Sequence, residues 1–141
     1  MNSCSIFNTP PQADSCAYLI NTTPKYFYLI PLHLTLLKRY ARSMKWPVYL
    51  ATEVPEHPII QNCVSQFNLQ VIPLTPDQES FLDSRAVACQ KLPPEIKYIF
   101  PIQEDFLLEG RPMWQVFENA FSLFEKDDSI QSFRMMPCPL S

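Results

Sequence analysis

A single glycine, Gly110, stands in a chain of 141 residues that carries fifteen prolines. A phosphate-cradling loop of the Walker kind needs glycines to turn backbone N–H groups onto phosphate, and a dinucleotide fingerprint needs three of them. Neither can be built here. The same scarcity excludes a Gly-x-Ser-x-Gly nucleophile elbow. Histidine is nearly absent: His33 and His57 are the only two, and neither has a second histidine or a cysteine at the spacing of a zinc site. The five cysteines, Cys4, Cys16, Cys63, Cys89 and Cys138, are scattered and odd in number, which points to reduced thiols in a cytoplasmic setting. No basic run exceeds two residues and the net charge is −3, which argues against a nucleic-acid partner. The nearest approach to a transmembrane segment, Tyr26 to Leu37, is interrupted by Pro31 and His33 and is too short to span a bilayer. Nothing at the N-terminus has the basic and apolar regions of a signal peptide.

What remains is a folding sequence, 47% hydrophobic and 13% aromatic, of a length that suits one domain. Its organising stretch is Tyr98-Ile-Phe-Pro-Ile-Gln-Glu-Asp-Phe-Leu-Leu108, an apolar run that ends in Gln103-Glu104-Asp105. Without polar alternation such a run reads as a strand covered on both faces, as in a parallel sheet. Pro101 resists an interior position, because it deletes a ladder donor and implies an edge or a bulge.

Around this strand the chain alternates. Residues 1–15 read as a loose polar arm, and residues 16–141 as a single domain. Cys16 to Thr22 forms a first strand. Pro31, preferred over Pro24, opens a helix to about Met44, with Lys38, Arg39, Arg42 and Lys45 gathered at its basic end. Pro47 to Thr52 is a second strand, a short helix follows Pro58, and Leu69 to Leu74 is a third strand. Thr75-Pro76 with Gln78 reads as a capping box for the next helix. Beyond the fourth strand, Pro112 opens a helix with the aromatic stripe Trp114, Phe117, Phe121 and Phe124, and Ser129 to Met136 is a last strand. The fold class is therefore α/β, in three layers: a mostly parallel sheet of about five strands with helices on both faces.

Ligands of open α/β sheets lie beyond the carboxyl ends of the strands, at the switch point in strand order. The first and fourth strands should flank that point, bringing Asn21, Thr22 and Thr23 close to Gln103, Glu104 and Asp105. Strand alternation would place Gln103 and Asp105 on one face and Glu104 on the other. Glu53, at the end of the second strand, and the helical pair Asp83 and Arg85 should line the rim. Asp127-Asp128, at the opposite end of the sheet, reads as a solvated turn.

The pattern resembles the nucleotide-sugar-binding half of GT-A-type glycosyltransferases of bacteria and large DNA viruses, over most of Cys16 to Pro139. The resemblance rests on Lys25-Tyr26 after the first strand, a Pro-led helix, and Pro-Val-Tyr-Leu-Ala-Thr at the second strand. Ser84-Arg85 then leads a helix into Tyr-Ile-Phe-Pro-Ile-Gln-Glu-Asp-Phe-Leu-Leu, and Arg-Met-Met-Pro-Cys-Pro comes later. Gln-Glu-Asp-Phe occupies the position of the family's Asp-x-Asp motif, with Gln103 in place of the first acid. The resemblance implies Mn²⁺ or Mg²⁺ on Asp105 with Glu104 assisting, and a nucleotide-sugar donor contacted by Asn21, Thr22, Thr23, Glu53, Asp83, Arg85 and Gln103. It implies an acceptor of unknown kind, and a chain that stops before the family's acceptor-binding half. The alternative is a non-catalytic α/β interaction or regulatory domain, or a decayed copy, whose acidic strand end is merely solvated.

Overall fold

The computed structural model describes residues 15–76 and 81–133, with Phe81 and Leu82 described by their backbone alone. These fall in two compact units that meet in sequence at Arg111 and Pro112. The first unit holds a four-stranded sheet. Its strands are β1 (Cys16–Asn21), β2 (Val48–Thr52), β3 (Leu69–Pro73) and β4 (Tyr98–Gln103), all parallel, in the order β3-β2-β1-β4.

All six residues of β1 are buried, as an interior strand of a parallel sheet requires, and this explains why its sequence shows no polar alternation. β4 pairs with β1 in register from Cys16–Tyr98 to Asn21–Gln103, with no bulge at Pro101. Among the described residues β4 is an edge strand. Its interior position, expected from its apolar run, gives way to the edge that Pro101 implied, because a residue without an amide proton is tolerated where no second neighbour needs it.

A 3₁₀ segment, Pro24–Leu29, runs straight into α1 (Ile30–Tyr40), so both prolines serve: Pro24 opens the 3₁₀ turn and Pro31 lies in the first turn of the helix. The helix ends at Tyr40 rather than near Met44, which leaves Lys38 and Arg39 in its last turn and Arg42 and Lys45 beyond it. Its buried residues, Ile30, His33, Leu34 and Leu37, recur at the spacing of one helical face. α2 (Pro58–Gln66) starts on His57, whose Nδ1 accepts from the Ile59 amide at 3.2 Å, and buries Ile60 and Cys63. α3 (Phe81–Gln90) precedes β4; the proposed capping box at Gln78 lies outside the described residues.

Strand alternation divides the core. Ala17, Leu19, Tyr49, Ala51, Ile72 and Leu74 cluster with Ala88 of α3. Tyr18 leaves β1 from the other side, where it meets His33 of α1, and its ring lies 5.6 Å from that of Phe100. Leu19, Ile20, Leu50, Ile30 and Ile60 are wholly excluded from solvent.

The second unit contains α4 (Trp114–Lys126), which starts on Met113 rather than at Pro112. Trp114 and Ala120 are buried, the Trp114 and Phe117 rings lie 5.4 Å apart, and Phe124 meets Phe133 edge-on at 4.7 Å. Asp127 closes the helix as the solvated turn its sequence suggested, its carboxylate accepting from the Ser129 amide and hydroxyl. Ser129 to Phe133 carry no strand pairing, and Arg134 to Met136, the rest of the expected last strand, lie outside the described residues. No described residue has a positive φ, Gly110 included; α1, α2 and α4 end on Ala41, Phe67 and Asp127 rather than on glycine.

Candidate functional site

The order of strands reverses between β1 and β4, since β2 and β3 follow on one side of β1 and β4 returns on the other. In open α/β sheets such a reversal marks the crevice in which ligands bind, beyond the carboxyl ends of the strands. Asn21 and Gln103 are direct partners in the β1–β4 register, so the two segments expected to meet do meet. Three polar side chains are buried there: Asn21 is 3% exposed, Thr22 6% and Glu104 5%. Gln103 is half-buried, whereas Thr23 and Asp105 are exposed.

Glu104 and Asp105 thus keep the opposite sides that strand alternation gives them, with Glu104 on the inward side of β4 shared by Phe100 and Ile102. The Phe106 amide donates to the Gln103 carbonyl at 3.2 Å, closing a turn across Glu104 and Asp105, and in that turn Glu104 goes inward while Asp105 faces solvent. Burial pushes the Glu104 carboxyl above its ordinary range. Its own backbone amide and the Thr22 hydroxyl oppose the rise, and the Asp105 charge adds to it.

Two acceptors in the crevice are left without partners. Asn21 Oδ1 and Thr22 Oγ1 are buried and make no hydrogen bond. Thr22 acts on Glu104 as a nearby dipole, short of full hydrogen-bond geometry. Buried polar atoms of this kind are uncommon, because an unmade hydrogen bond costs about 1–3 kcal/mol.

Beneath the crevice runs a buried chain of three groups. His33 Nδ1 lies 3.2 Å from the Glu104 carbonyl oxygen, and His33 Nε2 lies 2.7 Å from the Tyr18 hydroxyl. A carbonyl can only accept, so Nδ1 carries the proton and donates; in the neutral ring Nε2 then accepts from Tyr18. The ring is kept neutral by burial, which lowers its pKa; the bond to the Glu104 carbonyl and the Asp105 charge act in the opposite sense. Burial likewise raises the Tyr18 phenol. Neither residue was a candidate on sequence grounds. The available signal was His33 on the apolar stripe Ile30, Leu34, Leu37, where an uncompensated ring would be costly.

The remaining candidates are more peripheral. Glu53 follows β2 directly and is half-buried, in a bend where the Val54 amide donates to Thr52 Oγ1 at 3.1 Å. Asp83 is exposed in the first turn of α3. Arg85 is half-buried on the same helix, close enough to Cys89 for its charge to oppose the upward effect of burial on that thiol. Burial also pushes the Cys16 thiol up to about 12, which leaves it protonated and inert. Among the described residues, no three His, Cys, Asp or Glu side chains stand together as a metal site, and no helix is long and apolar enough to cross a membrane. Compared with known proteins, the chain matches no family model, no curated protein and no solved structure.

Proposed function

We propose that this chain binds a nucleotide-sugar donor in the crevice between β1 and β4 and transfers the sugar to an acceptor, as a metal-dependent glycosyltransferase of GT-A type. The observation that carries the reading is a pair of buried, unpartnered oxygens, Asn21 Oδ1 and Thr22 Oγ1, on successive residues at the carboxyl end of β1, with the buried Glu104 carboxyl close to Thr22, at a topological switch point. A binding site retains unmet acceptors at a cost in stability because a ligand meets them.

The donor set suits a hard cation. Mg²⁺ and similar ions take oxygen ligands and are commonly held by one or two carboxylates together with substrate phosphates. Asp105 would supply a carboxylate, with Glu104 assisting. Bound there, Mn²⁺ or Mg²⁺ would offset the negative charge gathering on the departing diphosphate. With one glycine in the chain, no backbone loop can do that instead. Gln103 and Thr23 would complete the donor contacts at the mouth, and Glu53, Asp83 and Arg85 would reach ribose or base from the rim. In this reading the sheet is the middle layer of a three-layer domain with helices on both faces, and the protein works in the cytoplasm.

A second reading, a non-catalytic α/β interaction domain or a decayed copy, is favoured by one observation: of the two acids, Glu104 alone turns inward. Calorimetric titration with uridine and guanosine diphosphate, with and without Mn²⁺, separates the two. Metal-dependent binding by wild type, weakened at least tenfold in Asp105→Ala with the melting temperature unchanged, is expected. No binding by folded wild type, or equal binding by both proteins, selects the second reading.

A further inference from the structure

We infer that His33 is a positioning residue, which holds the turn after β4 so that the Glu104 carboxyl points into the crevice. The imidazole reaches Glu104 not at its side chain but at its backbone carbonyl, 3.2 Å from Nδ1. It therefore fixes where the main chain turns, and the direction of the side chain follows. The other ring nitrogen is anchored on β1 through the Tyr18 hydroxyl at 2.7 Å. β1 is the most deeply buried strand of the sheet, and α1 carries His33 on its core face. The ring, carried on the core face of α1, thus reaches the turn that the Phe106 amide and the Gln103 carbonyl also close. Both ring nitrogens are committed, and the two bonds dictate one tautomer.

Two substitutions separate the two bonds. The amide nitrogen of asparagine falls near the place of Nδ1, whereas the glutamine amide extends to that of Nε2. His33→Asn keeps the donor to Glu104 and loses Tyr18; His33→Gln does the reverse. The inference rests on the proposed crevice only for its consequence in binding, so the test uses no ligand. Carbodiimide-driven coupling of a small amine to carboxyl groups, located by tandem mass spectrometry, reports the accessibility of Glu104, with adjacent Asp105 as the exposed control.

In wild type and His33→Asn, Glu104 should couple at least tenfold more slowly than Asp105. In His33→Gln the two should couple within about threefold of each other. Tyr18→Phe, which leaves His33 in place, should preserve the protection. Long-range proton–nitrogen spectra of wild type should show the proton on Nδ1. Continued protection of Glu104 in His33→Gln, equal loss of protection in the Asn and Gln variants, loss in Tyr18→Phe, or a proton on Nε2 would each overturn the inference. If neither His33 variant folds, Tyr18→Phe and the tautomer decide it. A failure of wild type to bind nucleotide would count against the proposed function and leave these outcomes untouched.

Discussion

Glu104→Gln should stabilise this protein at neutral pH while damaging its crevice. At 5% exposure the carboxylate is held in a place where burial raises its pKa, so the ionised form is the disfavoured one. Each pKa unit of such a rise corresponds to about 1.4 kcal/mol lost when the group ionises. Glutamine has nearly the same shape, carries no charge, and brings an N–H donor close to Thr22 Oγ1, worth about another 1 kcal/mol. The new bond alone gives a gain of about 1 kcal/mol, or a melting temperature higher by roughly 3 °C for a domain of this size, and removal of the disfavoured charge adds to it.

The pH dependence gives the prediction its sign. A group whose pKa is raised by folding contributes stability below its unfolded value, near 4.5, and loses that contribution as pH rises through the folded value. The advantage of Glu104→Gln should therefore be largest at pH 7 and vanish at pH 4, where the protonated acid is neutral and can also donate. Urea and thermal melts of both proteins at the two pH values measure it. A variant less stable than wild type at pH 7, or an advantage that persists unchanged at pH 4, would refute the argument that Glu104 is a strained, poorly compensated carboxylate.

His33 should titrate in the opposite sense. Folding lowers its pKa below 6.5, so its contribution is complete above that value and is lost as pH falls toward the folded pKa; denaturant melts from pH 7.5 to 5 should show a decline that His33→Asn removes. Leu19→Ala deletes a fully buried side chain from the central strand and should cost about 2–5 kcal/mol, read from the urea midpoint at unchanged slope.

The alternation of strand and helix was legible because apolar runs of five or six residues, each broken by proline or by a polar turn, leave little choice but a parallel sheet. The meeting of Asn21 with Gln103 followed from the same topology. Pro101 had already signalled the edge, against the apolar character of its neighbours. Alternation set Glu104 and Asp105 on opposite sides, but which side is inward was not legible, because it follows from the packing of Tyr18, Phe100 and His33, which are distant in sequence. The bonds from His33 to Tyr18 and Glu104 join residues 15 and 71 positions apart, a pairing that no local spacing encodes.

The backbone with no left-handed residue among those described has a consequence for the unfolded chain. Proline restricts the conformations an unfolded chain can visit, and glycine multiplies them. With fifteen prolines and one glycine, this polypeptide has less freedom to surrender on folding than an ordinary chain of its length. Part of its stability therefore lies in no contact at all, and no substitution in the core would find it. Even the one glycine is not required by its geometry: Gly110 has no positive φ, and a β-carbon there would meet nothing within 4 Å. Gly110→Ala should add roughly 0.4–1 kcal/mol, drawn wholly from the unfolded state.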